Sequence, residues 1–200
     1  MSASATDGLG LALVKRVVSQ ITKRVAGEPI ADPLVSLVDA DARPIRKGKP
    51  GKPTQFGYVA QISEICSSTR RGQRGFITPV TISRGNPSEN ELLPTTITEL
   101  VGCGLKPGIV AVDGGFTTRA TTQALTPINA RQLFIAGRRP MTSRSTRKRL
   151  ARFRTGSDGR ISHLKRAYGL GRSDLRDLDD AWAILAYNLD SYHHHHAATA

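Results

Sequence analysis

Two hundred residues suit one domain with a real core, and 38% apolar against 22% charged residues excludes a disordered or collagen-like chain. Twenty-nine Lys and Arg against sixteen Asp and Glu leave a net charge of +13, which favours a polyanionic partner, nucleic acid foremost, with a ribosomal or other RNA-binding protein compatible on the same ground. No apolar run approaches the ~18 residues a membrane span needs, the start lacks a secretory pattern, and Cys66 and Cys103 lie in no metal-ligand spacing, so a cytoplasmic protein with reduced thiols and no membrane partner is expected.

Leu11, Val14, Val18, Ile21 and Val25 recur in steps of three and four, with Lys15, Arg16, Lys23 and Arg24 off that stripe. The spacing predicts an amphipathic helix over 9–25, ended by Gly27 and Pro29. Leu34 to Val38 reads as a short strand. The following DADARPIRKGKPGKPTQFGY segment sets Arg43, Arg46, Lys47, Lys49 and Lys52 among prolines and glycines, the composition of an exposed loop.

Tyr58–Ile65 and Phe76–Ser83 are strand-like and separated by a polar turn, so a hairpin is expected, with Pro79 marking an edge or a bulge. Ser88 and Glu91 fit a capping box for a helix running towards Val101, although Pro94 could equally mark its first turn. GIVAVD, residues 108–113, reads as a buried central strand ending in a carboxylate. A short helix near Thr118–Leu125 and a strand at Gln132–Ala136 follow. Arg144–Tyr168 carries Leu150, Phe153, Ile161, Leu164 and Tyr168 on one helical face. Leu178, Trp182, Leu185, Leu189 and Tyr192 repeat that pattern in a final helix. His193–His196 look like a solvated, low-complexity tail. The expected organisation is one α/β domain over 1–192, a mixed sheet flanked by helices, with a His-rich disordered tail over 193–200.

Two acids stand out. Asp113 closes a buried strand, where α/β sheets open onto ligand crevices, and Gly114 and Gly115 would let the backbone turn sharply. An ordinary strand-to-turn aspartate fits the same residues. Asp158 is the one acid among ten Lys and Arg between Arg144 and Arg172. If that stretch is helical, Arg154, Asp158 and Lys165 share a face, a metal-binding acid between two phosphate contacts. Thr155 and Asp158 also fit a T-x-x-D capping box for a helix starting near Gly156, a reading that Gly156 and Gly159 favour. Isolated acids on rigid supports amid basic residues are what metal-assisted phosphodiester cleavage requires.

Five ordered blocks, VDADARPIRKGKPGKPTQFGYVAQISE, SRGNPSENELLP, GIVAVDGGF, ARFRTGSDGRISHLKRAYGL and AWAILAYNLD, resemble the catalytic domain of insertion-sequence DDE transposases over roughly residues 6–190. The resemblance implies an RNase H-like fold, incomplete at its N-terminus. It also implies metal-dependent DNA cleavage and strand transfer at insertion-sequence ends. Asp113 falls on the family's second acid. Arg154, Asp158 and Lys165 fall on an R-x-x-x-E-x-x-x-x-x-x-K helix, with Asp where Glu is expected. Asp113 and Asp158 would then be catalytic ligands of Mg²⁺ or Mn²⁺ in a two-metal site. Arg46, Lys47, Lys49, Lys52, Arg147, Lys148, Arg154 and Lys165 would contact DNA phosphates. The partners implied are double-stranded DNA, as transposon ends and target, and a second copy in a homodimer, with the protein held on the bacterial nucleoid through DNA.

The sequence departs from the family pattern in three ways. The first catalytic Asp is expected upstream of the 9–25 helix, in a segment this chain starts too late to contain, so a truncated and impaired copy is the expectation. Asp39 could replace that acid only if 34–38 paired as a central strand. Gly114 stands in place of an Arg, and Asp158 is one methylene shorter than Glu. Nucleic-acid binding without catalysis, by an inactive remnant or by an unrelated RNA-binding protein, stays as the alternative.

Overall fold

The computed structural model describes residues 3–46, 48, 50–70, 74–138, 143–170 and 179–197. Where composition suggests one domain over 1–192, the chain divides into two compact units. The first is Met1–Val59 with Ile82–Pro87, and the second is Ala60–Thr81 with Ser88–Ala200.

In the first unit, α1 (Ala3–Val25) is the expected helix with an unexpected orientation. The face that packs carries Leu13, Arg16, Val17 and Gln20, all half-buried. Gln20 brackets the backbone of Leu34 with its side-chain amide, and Arg16 pairs with Asp32 at 2.7 Å. The Leu11–Val25 stripe instead faces solvent, each of its five residues more than half exposed. Residues 34–38 form no strand. Ser36 Oγ accepts from the amides of Val38 and Asp39, so a hydroxyl turn competes with strand pairing there, and Leu37 and Val38 are exposed. The segment read as loop contains a strand, β1 (Arg43–Ile45), and the start of β2 (Gln55–Ile65). β1 pairs antiparallel with β2, Arg43 opposite Gly57 and Ile45 opposite Gln55. β2 passes into the second unit at Ala60, and β3 (Phe76–Arg84) has its residues 76–81, Pro79 among them, in that unit; the strand order β1-β2-β3 puts Pro79 on an outer strand, where a missing N–H is tolerated.

In the second unit, α2 (Glu89–Gly102) starts at the capping box that the sequence suggests. Ser88 Oγ accepts from Glu91 N, and the Glu91 carboxylate accepts from Ser88 N at 3.1 Å. Pro94 lies inside the helix rather than in its first turn. β4 (Ile109–Val112) pairs parallel with β5 (Gln132–Ile135), linked through α3 (Thr118–Ala124) and a 3₁₀ turn. β4 was expected as a buried central strand. It is half-buried along its length, and β5 is its partner among the described residues. Leu93, Ile97, Leu100, Phe116, Leu125, Ile128 and Ile135 form one core cluster around this pair.

α4 (Arg144–Ala167) runs unbroken through Gly156 and Gly159, with Ser143 as its N-cap. Thr155 therefore caps nothing, and its hydroxyl donates to Ala151 O within the helix. The capping reading of Asp158 is thereby overturned. α5 (Asp179–Ala197) completes a second cluster, where Ile184 and Tyr187 join Ile77, Leu164 and Leu170. Asn188 extends its amide to the outer edge of β3, accepting from Ile77 N at 2.8 Å and donating to Ile77 O at 2.9 Å. Trp182, Leu185, Leu189 and Tyr192, expected on the packed face of α5, are exposed; the buried face carries Ala183, Ile184, Tyr187 and Ser191. Leu178 lies outside the described residues. His193–His196 continue α5, and His195 Nε2 is 2.8 Å from Arg74 O.

The architecture is mixed α/β, with helices on small sheets. Among the described residues no helix is long and apolar enough to cross a membrane.

Candidate functional site

Asp113 follows the last residue of β4, and Asp158 lies midway along α4. The two meet at Arg154. One nitrogen of its guanidinium lies 3.4 Å from Asp113 Oδ1, and the same nitrogen donates to both oxygens of Asp158, at 3.0 and 2.8 Å. Arg154 and Asp158 are one helical turn apart on α4, so their pairing is local. The contact to Asp113 is not local, since it joins a strand end to a helix. The acids are 56% exposed and Arg154 24%, so the carboxylates open to solvent around a more covered cation.

The chain does turn sharply through Gly114 and Gly115, where Phe116 N donates to Asp113 O at 3.3 Å, but neither glycine has a positive φ, so close approach is what favours glycine there. A Cβ at Gly115 would collide with the carboxylate of Glu89, and one at Gly114 would lie 3.1 Å from Ala136 O. Gly114 N donates to its neighbour's Asp113 Oδ1 at 2.6 Å, which fixes the carboxylate's orientation. Glu89 was not foreseen. It begins α2, and burial, then the negative charge of Asp113, hold its carboxyl above the usual range. Asn90, the next residue, accepts from Thr117 N at 2.8 Å and donates to Gly115 O, tying the start of α2 to the loop after Asp113.

The basic residues divide by unit. In the second, Arg147, Lys148 and Lys165 are exposed on α4. At about 100° per residue, Arg147, Arg154, Asp158 and Lys165 project from one face of α4. Lys165 lies about 10 Å along the axis from Asp158, too far to pair with it. In the first unit Arg46 and Lys52 are exposed, while Lys47 and Lys49 lie outside the described residues. The condition for Asp39 to act as a third acid fails, since 34–38 is not a strand. Asp39 Oδ1 accepts from Asp41 N, Ala42 N and Tyr58 Oη, the work of a turn anchor.

The rotation of α4 about its axis is held from its other side by Arg160, whose Nε donates to Glu64 on β2. Glu64 also accepts from Gly75 N at 3.1 Å. Beside it, burial and the charge of Glu64 push the Cys66 thiol up to about 12. Sequence spacing gives no warning of this pair, because its members are 96 residues apart.

Among the described residues, no group of three or more His, Cys, Asp and Glu side chains is arranged to hold a metal. Two carboxylates do gather around one positive charge, that of Arg154. Mg²⁺ is commonly bound by one or two protein carboxylates, with water and substrate phosphates as further ligands. Asp113 and Asp158 fit that donor set. Comparison with family models, with curated proteins and with solved structures finds no match to this chain.

Proposed function

We propose that this chain is a DNA-processing domain of the insertion-sequence DDE transposase kind, with an RNase H-like fold, acting on double-stranded DNA with Mg²⁺ or Mn²⁺. The observation that carries the reading is the meeting of Asp113 and Asp158 at Arg154, a strand acid and a helix acid 45 positions apart by residue number. The order of β1 to β3, α2, β4, α3, β5 and α4 is compatible with that fold, and +13 of net charge suits a DNA partner.

In this reading Asp113 and Asp158 hold the divalent cation. When bound, such a cation activates an attacking water or DNA 3′-hydroxyl and stabilises the leaving oxygen. Arg147, Lys148 and Lys165 neutralise backbone phosphates along α4, and Arg46 and Lys52 do so in the first unit. Asp158 is shorter than the Glu of the resemblance and withdraws its oxygens by about a bond length, a misplacement of the kind that costs ~100-fold in rate. Slow cleavage is expected, with acceleration by Asp158→Glu.

The test is Mg²⁺- or Mn²⁺-dependent nicking of a supercoiled plasmid. Wild type should nick, and Asp113→Asn and Asp158→Asn should not. Nicking that survives both substitutions sinks the proposal. A second reading, DNA binding without chemistry, is favoured by the contact that Arg154 makes with both acids. It predicts DNA affinity that falls steeply with salt and ignores both the cation and Asp113→Asn. Preference for single-stranded RNA over duplex DNA would overturn both readings.

A further inference from the structure

We infer that Arg154 is a place-holder with two stations: it bridges Asp113 and Asp158 while no divalent cation is bound, and turns to a DNA phosphate once one is. The inference rests on the reading of these acids as cation ligands and adds how their loading is coupled to DNA.

The geometry is specific. A single guanidinium nitrogen contacts Asp113 and both oxygens of Asp158, so Arg154 uses the carboxylate oxygens that a hard cation would need. Two cations cannot share those oxygens without close repulsion, so binding there requires Arg154 to leave. Its side chain is long, and its neighbours on the same face of α4 are Arg147 and Lys165, both exposed. The released guanidinium therefore joins a basic row already suited to a phosphate backbone, where its planar fork makes paired hydrogen bonds. The two acids carry −2 against the +1 of Arg154, so the bridged state keeps a residual pull on cations. Because coupling between binding sites is reciprocal, DNA that captures Arg154 must also tighten cation binding.

The experiment is Mn²⁺ titration by calorimetry of the full chain, as wild type, Arg154→Ala and Asp113→Asn, with folding of each checked by circular dichroism. Exposed ion pairs are weak, so removing both contacts of Arg154 should tighten Mn²⁺ binding by about threefold to tenfold. Asp113→Asn should weaken it. A second measurement needs no substitution: the Arg154 Nη–H resonances of wild type, followed by NMR during Mg²⁺ titration, should move from their ion-paired position towards that of a free arginine. If Mn²⁺ binds wild type and Arg154→Ala equally, or binds the variant more weakly, the place-holder inference is overturned. An unmoved Arg154 resonance at saturating Mg²⁺ overturns it too. If no chain binds Mn²⁺, Arg154→Ala included, the cation-ligand reading itself falls with it.

Discussion

The pairing of Glu64 with Arg160 gives a sharp test of how α4 is held in the rotation that presents Asp158. The Glu64 side chain is 10% exposed and that of Arg160 21%, so this is a largely buried pair. Removing one member of such a pair strands the other charge, at a cost of about 3 to 5 kcal/mol. The cost should be unequal here. Arg160→Met leaves Glu64 buried with the Gly75 amide as its remaining strong donor, and should cost about 3 kcal/mol. Glu64→Gln keeps an acceptor for that amide and leaves an arginine that can reach water, and should cost about 1 to 2 kcal/mol. The double variant Glu64→Leu with Arg160→Met removes both charges at once and should lie within about 1 kcal/mol of wild type. Urea unfolding followed by circular dichroism at pH 7 measures all three, with slopes compared to check that the transition itself is unchanged. The signature is a double variant more stable than Arg160→Met alone. If the costs simply add, the two side chains act independently and the argument that they fix α4 is wrong.

Other outcomes follow from the same second unit. Asn188→Ala should cost about 2 to 4 kcal/mol, because it leaves both backbone groups of Ile77 without their partner at a residue that is 3% exposed. Hydrogen exchange at the Ile77 amide should accelerate in that variant, and unchanged protection would refute the bracket. At pH 8 an alkylating reagent should modify exposed Cys103 first and Cys66 at least about tenfold more slowly, since the thiolate is the reactive form and Cys66 is pushed up to about 12. Peptide mapping by mass spectrometry reads the order. Glu89 has a folded-state pKa raised by burial and by Asp113, so its neutral form suits the folded chain and its contribution is lost as pH rises above the ordinary carboxylate range. Glu89→Gln should therefore raise the melting temperature at pH 7, and the gain should vanish towards pH 4. A gain of equal size at both pH values would contradict that origin.

What could be read in the sequence was largely local. The Ser88–Glu91 box, the helix over 144–167 and the strands at 109–112 and 132–135 follow from short-range patterns, because their hydrogen bonds close within a few residues or across a simple crossover. Asp113 and Asp158 could be nominated by chemistry, yet their meeting depends on how α4 lies against β4, which no spacing encodes. The apolar stripes misled for a physical reason. α1 and α5 each have two faces that could pack, and the structure buries the one with smaller or mixed residues: Leu13, Val17 and Gln20 in α1, and Ala183, Ile184, Tyr187 and Ser191 in α5. Residues 34–38 have strand-like side chains, but the hydroxyl of Ser36 takes the amides a strand would need. Glu89 carried a faint signal, since Gly115 can be read as a vacancy left for a neighbour, but nothing in the sequence says which neighbour.

The outward-facing stripes of α1 and α5 have a practical consequence at the bench. High ionic strength is the usual way to strip nucleic acid from so basic a chain, because it screens contacts to phosphate. The same treatment mutes the mutual repulsion of molecules that each carry +13, while sulfate or phosphate salts strengthen association of oily surfaces such as Trp182 with Leu189 or Val18 with Ile21. The preparation freest of DNA is then the one most prone to clump. Weakly salting-out chloride, kept as dilute as removal of nucleic acid permits, is the better compromise.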